Sequence, residues 1–168
     1  MIGVEQKELR MEILKAVDKN SRLTATDLAD MLGTTPEVIG DEIRKMEEEK
    51  VICGYPTIID WDKTDVEKVT AMIEVKVTPK RGQGFDYMAE RIYKFEEVSS
   101  VYLMSADFDL MVIVEGRTMR EVANFVSSKL APLDSVLSTA THFVLKKYKD
   151  LGIAYADDEV DEREMVSP

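Results

Sequence analysis

Leu9, Ile13 and Val17 recur every fourth residue, and this single stripe predicts a helix over roughly Gln6 to Val17. Asp18-Lys19-Asn20-Ser21 ends it with turn chemistry. Thr24 then stands where a helix N-cap is needed, Asp27 lies in the first turn, and Leu28, Ala29 and Leu32 share one face up to Gly33, a natural C-terminal stop. A third helix starts at Thr35-Pro36, with Thr35 as its cap and Ile39, Ile43 and Met46 as its apolar stripe. Only Leu32-Gly33-Thr34-Thr35 separates these two helices, a turn short enough for the tight crossing of a helix-turn-helix. Val51-Ile52-Cys53-Gly54-Tyr55, continued through Pro56 to Ile59, reads as a strand, the start of a wing.

The pattern changes period near Val69. Ala71, Ile73, Val75 and Val77 alternate with Met72, Glu74, Lys76 and Thr78, a half-buried strand. A helix is predicted from Phe85 to Phe95 with Met88, Ile92 and Phe95 inward. Strands follow over Val98 to Ser105 and Phe108 to Glu115, joined by a short turn at Ala106-Asp107. A second helix runs from Met119 to Leu130 with Val122, Ala123, Val126 and Leu130 inward, and a last strand runs from Val136 to Lys147. The order βαββαβ favours a four-stranded antiparallel, ferredoxin-like sheet with both helices on one face. Apolar residues on the other face then call for a partner subunit. The fold class is α+β: a winged helix-turn-helix over 1–55, a connection over 56–68, a βαββαβ domain over 69–150, and an acidic tail over 151–168 expected to be disordered. Trp61, in the connection, is expected to anchor against the second domain.

Charge complicates the first unit. The chain carries a net −11. Residues 1–55 contribute −4, 56–65 contribute −2, 66–150 are neutral and 151–168 contribute −5. A nucleic-acid-binding surface is ordinarily basic. The single cysteine, Cys53, excludes an intramolecular disulfide and is expected as a small buried side chain in the strand. No apolar run approaches the ~18 residues of a membrane span, and the N-terminus lacks a signal-peptide core, so a reduced cytoplasmic setting is expected.

The order of elements, with Leu28-Ala29-Asp30-Met31-Leu32-Gly33, Ile43-Arg44-Lys45-Met46-Glu47, Val51-Ile52-Cys53-Gly54-Tyr55, Ser105-Ala106-Asp107-Phe108-Asp109-Leu110 and Thr139-Ala140-Thr141-His142-Phe143-Val144-Leu145, resembles the Lrp/AsnC family of transcription regulators over residues 5–150. The resemblance implies a C-terminal domain of the RAM type that forms a homodimer, often assembled to tetramers or octamers. It implies DNA binding by the third helix and small effectors, typically amino acids, bound between dimers. The implied effector region is the turn Ser105, Ala106, Asp107 and Asp109 with Thr139 and Thr141 on the last strand. There, Asp107 or Asp109 can receive an α-ammonium and turn N–H groups a carboxylate. The family turn usually has glycine where this chain has Ala106, which makes a positive φ or a close backbone approach costly.

The candidate DNA-reading residues are Thr35, Glu37, Asp41, Arg44, Lys45 and Arg22. At ~100° per residue, Glu37, Asp41, Arg44 and Glu48 lie opposite the apolar stripe. Family members commonly have basic residues at Asp41 and Glu42. Acids repel phosphates but can accept from cytosine N4. Lys45 and Lys50 can also simply pair with the Glu47 to Glu49 run, worth only about 0.3 kcal/mol per pair. Three functions follow. The leading one is a sequence-specific, amino-acid-responsive transcription regulator. The second is an assembly or sensing protein whose helix-turn-helix no longer binds DNA. The third is an enzyme like the sirohaem decarboxylases, which resemble the family in fold. The lone histidine, His142, has no second candidate base to act with, and no phosphate loop, metal spacing or nucleophile triad is present, so neither a cofactor nor catalysis is expected.

Overall fold

The computed structural model describes residues 2–78 and 84–155, the backbone alone for 2–5. The chain divides into two compact units, the first ending at Thr57 and the second beginning at Ile58.

The first unit is three helices: α1 (Ile2–Lys19), α2 (Ala25–Leu32) and α3 (Pro36–Glu48). Thr24 caps α2 in a capping box. Its hydroxyl accepts from the Asp27 N–H, and the Asp27 carboxylate accepts from the Thr24 N–H at 2.8 Å. Gly33 closes α2 in the left-handed region at φ 66°. Ile13, Leu28, Ala29, Ile39, Met46 and Ile52 form the core, and Leu9, Val17, Leu32 and Ile43 pack around it half-buried.

The wing does not form as a strand among the described residues. Lys50, at φ 59°, turns the chain out of α3, and the Val51 and Ile52 N–H groups both donate to the Met46 carbonyl. Ile52 drops into the core while 53–57 run exposed. A strand needs a ladder partner, and the helical unit offers none. Cys53 is accordingly exposed rather than buried, its Sγ 3.2 Å from the Lys50 carbonyl oxygen.

The second unit opens with a 3₁₀ turn, Trp61–Lys63, followed by β1 (Val69–Val77), α4 (Gly84–Ile92), β2 (Val98–Leu103), β3 (Leu110–Gly116), α5 (Met119–Phe125) and β4 (Val136–Phe143). The sheet order is β2-β3-β1-β4, antiparallel throughout. One face is a core of Ile73, Val75, Leu110, Val112 and Val114 against Met88 and Ile92 of α4 and Val122 and Phe125 of α5. Phe95 meets Phe125 edge-on at 5.5 Å.

α5 runs into a π-helical turn, Val126–Leu130, where the Ala131 N–H donates to the Val126 carbonyl. The wider turn shifts the inward phase. Phe125 and Leu130 are buried five residues apart, and Ala123, expected inside, is exposed. The last strand stops at Phe143, four residues early. A hairpin, β5 (Lys149–Asp150) and β6 (Ile153–Ala154), then turns through Leu151 and Gly152, both at positive φ. Residues 151–155, assigned above to the tail, thus belong to ordered structure, and the tail from 156 onward lies outside the described residues. Trp61 packs within the second unit, with Lys68 Nζ 4.9 Å from its ring centroid. Among the described residues no helix is long and apolar enough to cross a membrane.

Candidate DNA interface and ligand-binding region

α3 presents two unlike faces. Ile39 and Met46 are fully buried, and Glu42 joins them at 5% exposure. Thr35, Glu37, Asp41, Arg44, Lys45 and Glu48 are all exposed. Arg44 stands between two acids, its Nη2 2.9 Å from Asp41 Oδ1 and its Nη1 3.3 Å from Glu48 Oε1. The Asp41 carboxyl lies below its ordinary value through the hydrogen bond and charge of Arg44, and the guanidinium is raised in return. The middle of the exposed face is therefore a carboxylate–guanidinium–carboxylate bridge.

Thr35 occupies the N-cap position with extended backbone but makes no side-chain cap bond to α3, contrary to expectation. The Glu37 carboxyl lies below its ordinary value, held there first by its own backbone N–H and then by the nearby Thr35 hydroxyl. Lys45 does not take the alternative its spacing allows, a pair with Glu48 or Glu49. Its Nζ donates to Glu42 Oε1 at 2.8 Å, because Glu42, one turn back, points along the buried side within its reach. Glu42, a position where family members commonly have a basic residue, here holds α3 to α1. Gln6 Nε2 donates to the same oxygen at 2.8 Å, and Arg10 Nε lies 3.5 Å from the other, which has no hydrogen bond. Arg10 also reaches Glu49 at 2.6 Å. Arg22 sits apart, exposed in the α1–α2 turn, with no ion pair among the described residues. Sequence reasoning missed the roles of Gln6 and Arg10, since only contact across helices reveals them.

The second unit places the predicted turn at one end of its sheet and spreads Thr139 and Thr141 along β4, Thr141 opposite the middle of β1. Ser105, Ala106 and Asp107 are exposed on the β2–β3 turn, closed by the Met104 N–H to the Asp109 carbonyl at 2.8 Å. Ala106 is not at positive φ, so this turn needs no glycine for its backbone conformation. Asp109 is already occupied. Its Oδ2 accepts from the Val77 N–H at 2.8 Å, pinning the turn to the end of β1. Thr139 and Thr141 lie opposite Val75 and Ile73, hence on the helix-covered face, and are half-buried. Asp109 and Thr139 flank β1 on opposite sides, about two strand spacings or ~10 Å apart. Two grooves on this unit, of about 320 and 250 Å³, are lined by other residues, among them Glu97, Arg117 and Lys129 in the first and Trp61, Lys68 and Tyr155 in the second.

The uncovered sheet face carries Met72, Met111, Ile113 and Tyr102 around Glu74, whose Oε1 is 3.2 Å from His142 Nε2. Met72 is 40% and Tyr102 54% exposed, a substantial apolar surface.

Comparison with known proteins matches both units. The model of the Lrp/AsnC ligand binding domain covers residues 70–153, and that of winged helix-turn-helix DNA-binding domains covers residues 6–52, ending where the described chain leaves α3 without a strand. The uncharacterized HTH-type transcriptional regulator YugG of Bacillus subtilis is 54% identical over 162 residues, 96% of this chain and 98% of that one. The HTH-type transcriptional regulator LrpA of Pyrococcus horikoshii is 27% identical over 137 residues, 82% and 94% of the two chains. A solved complex of a Neisseria meningitidis transcriptional regulator with L-Met shares the fold at a TM-score of 0.67 and 21% identity, covering 84% and 91%. The chain belongs to the Lrp/AsnC family of transcriptional regulators, a helix-turn-helix DNA-binding unit joined to a ligand-binding domain.

Proposed function

We propose that this regulator binds a palindromic double-stranded site as a homodimer, or a tetramer or octamer built from it, with α3 in the major groove. Thr35, Glu37, Asp41, Arg44 and Lys45 face the DNA, and Arg22 contacts the backbone beside it. The carrying observation is the polarity of α3: one side is closed into the core, and the other is mostly polar and charged around the Arg44 bridge, with Val38 its exposed apolar side chain. The uncovered sheet face, with Met72, Ile113 and Tyr102, supplies the subunit contact. An amino acid held by turn residues Ser105, Ala106, Asp107 and Asp109 with Thr139 and Thr141 tunes binding. The L-Met complex of the Neisseria relative supports that ligand class. A second copy contributes to the site, in keeping with effectors held between dimers. The protein acts by binding rather than catalysis, in the cytoplasm, without a cofactor.

Selection of genomic fragments at low salt, followed by fluorescence anisotropy, tests the reading. Arg44→Ala with Lys45→Ala should weaken binding at least tenfold, and Asp41→Asn should strengthen it. No retained fragment, or an unchanged affinity in the double variant, defeats it in favour of a sensing protein with a silent helix-turn-helix. That second reading draws on one observation, the engagement of both cations by neighbouring acids. Thermal shift against an amino-acid panel, repeated on Asp107→Ala, tests the ligand region. A Soret shift on adding sirohaem would revive the enzymatic option.

A further inference from the structure

Gly40 sits in the middle of α3, and nothing within the chain asks for glycine there. Its φ is not positive, and a methyl built on its Cα meets no atom within 4 Å. Glycine inside a helix is destabilising relative to alanine, so the sequence tolerates a weaker α3 with no compensation inside the unit. The open space beside Gly40 leaves room for something to approach the helix from outside more closely than a side chain would allow.

The neighbours of Gly40 indicate what approaches. Glu37, Asp41, Arg44 and Glu48 form the centre of the exposed face, and Gly40 and Val38 flank that centre on opposite sides at ~100° per residue. The charged centre is largely satisfied within itself: Arg44 holds Asp41 and Glu48, and Glu37 takes its own N–H and the Thr35 hydroxyl. Two features remain outside that network, the half-buried Gly40, with open space beside its Cα, and the Val38 isopropyl group, which is 43% exposed among acids. In a major groove the apolar feature at hand for such a side chain is the C5-methyl of thymine.

We propose that α3 reads its site by close apposition: the helix settles against the groove at Gly40, and Val38 packs on a thymine methyl, which makes these two residues specificity determinants. The inference rests on the DNA-binding reading above and adds to it the identity of a base and the side chain that reads it.

The test uses the full-length protein and duplexes selected from a random library. Gly40→Ala should raise the thermal unfolding midpoint by a few degrees while lowering affinity for the selected duplex at least tenfold. Replacing each selected thymine in turn by deoxyuridine should cost the native protein about fourfold at one position, the effect of one methyl group. Val38→Ala should be indifferent to that replacement. Unchanged or tighter binding by Gly40→Ala overturns the inference, and so does a fall in both its stability and its affinity, which marks a structural glycine. Equal sensitivity of Val38→Ala and native protein to deoxyuridine overturns it as well, with DNA binding intact. Retention of no duplex at all removes the DNA-binding reading and this inference together.

Discussion

A carboxylate enclosed between two helices is held there by its partners, and Glu42 has three: Gln6, Lys45 and, at longer range, Arg10. The Lys45 hydrogen bond leads in holding its carboxyl below the ordinary value of 4.5, while burial opposes it. A depressed folded-state value means the contribution to stability is fully present above the ordinary glutamate range. It fades as pH falls through the folded-state value. Glu42→Ala should therefore lower stability at pH 7 by about 1–3 kcal/mol, as expected for removing a buried hydrogen-bonding partner. The deficit should shrink toward zero below about pH 4, read by urea unfolding across pH. At Thr24 the expectation is simpler. Thr24→Ala removes the hydroxyl that accepts the Asp27 N–H and should cost about 1 kcal/mol in the same measurement, at any pH where Asp27 is ionised.

Among the elements, the sheet carries the stability of the second unit. Ile73 is fully buried at the centre of β1 between two paired strands, and Ile73→Ala should cost 2–5 kcal/mol by calorimetry, within the usual range for emptying such a site. The period-two alternation around Ile73 made β1 legible from sequence, and the four-residue spacing of Leu9, Ile13 and Val17 did the same for α1. Segments whose form depends on a neighbour were less legible. Val51 to Tyr55 has strand composition, but a strand without a ladder partner is only a composition. The π turn after α5 leaves no periodic signal strong enough to separate Ala123 from Phe125. The short Leu151-Gly152 hairpin was hidden by the acidic run beyond it. The candidate DNA face was readable because 100° per residue assigns sides correctly for Asp41 and Arg44. The burial of Glu42 was not readable, because Gln6 and Arg10, which supply it with an interior, reach it only across helices.

For the whole molecule, two consequences concern assembly and charge. If the face bearing Met72, Met111 and Ile113 joins two copies, Met72→Glu should convert dimers to monomers by light scattering, with circular dichroism unchanged. A monomer that also loses DNA binding would show that affinity is shared between two helix-turn-helix units. The first unit has a net charge of −4 over residues 1–55, and Arg44 and Lys45 already hold acids, so few protein cations are free to displace counterions from the phosphates. The logarithmic salt slope of DNA affinity should then be shallow, about −1 to −3 per unit bound, since each phosphate neutralised contributes about −0.9. A slope near that of a strongly basic repressor would refute this electrostatic picture.

The span of Arg10 between Glu42 and Glu49 makes α1 a splint along the far half of α3. The tilt at which α3 meets a partner is thus set partly by a helix that never enters the groove. Grafting α3 alone onto a relative's framework would transfer its surface chemistry but leave its angle to the host. A graft that also carries Gln6 and Arg10 should be the one that brings the site preference with it.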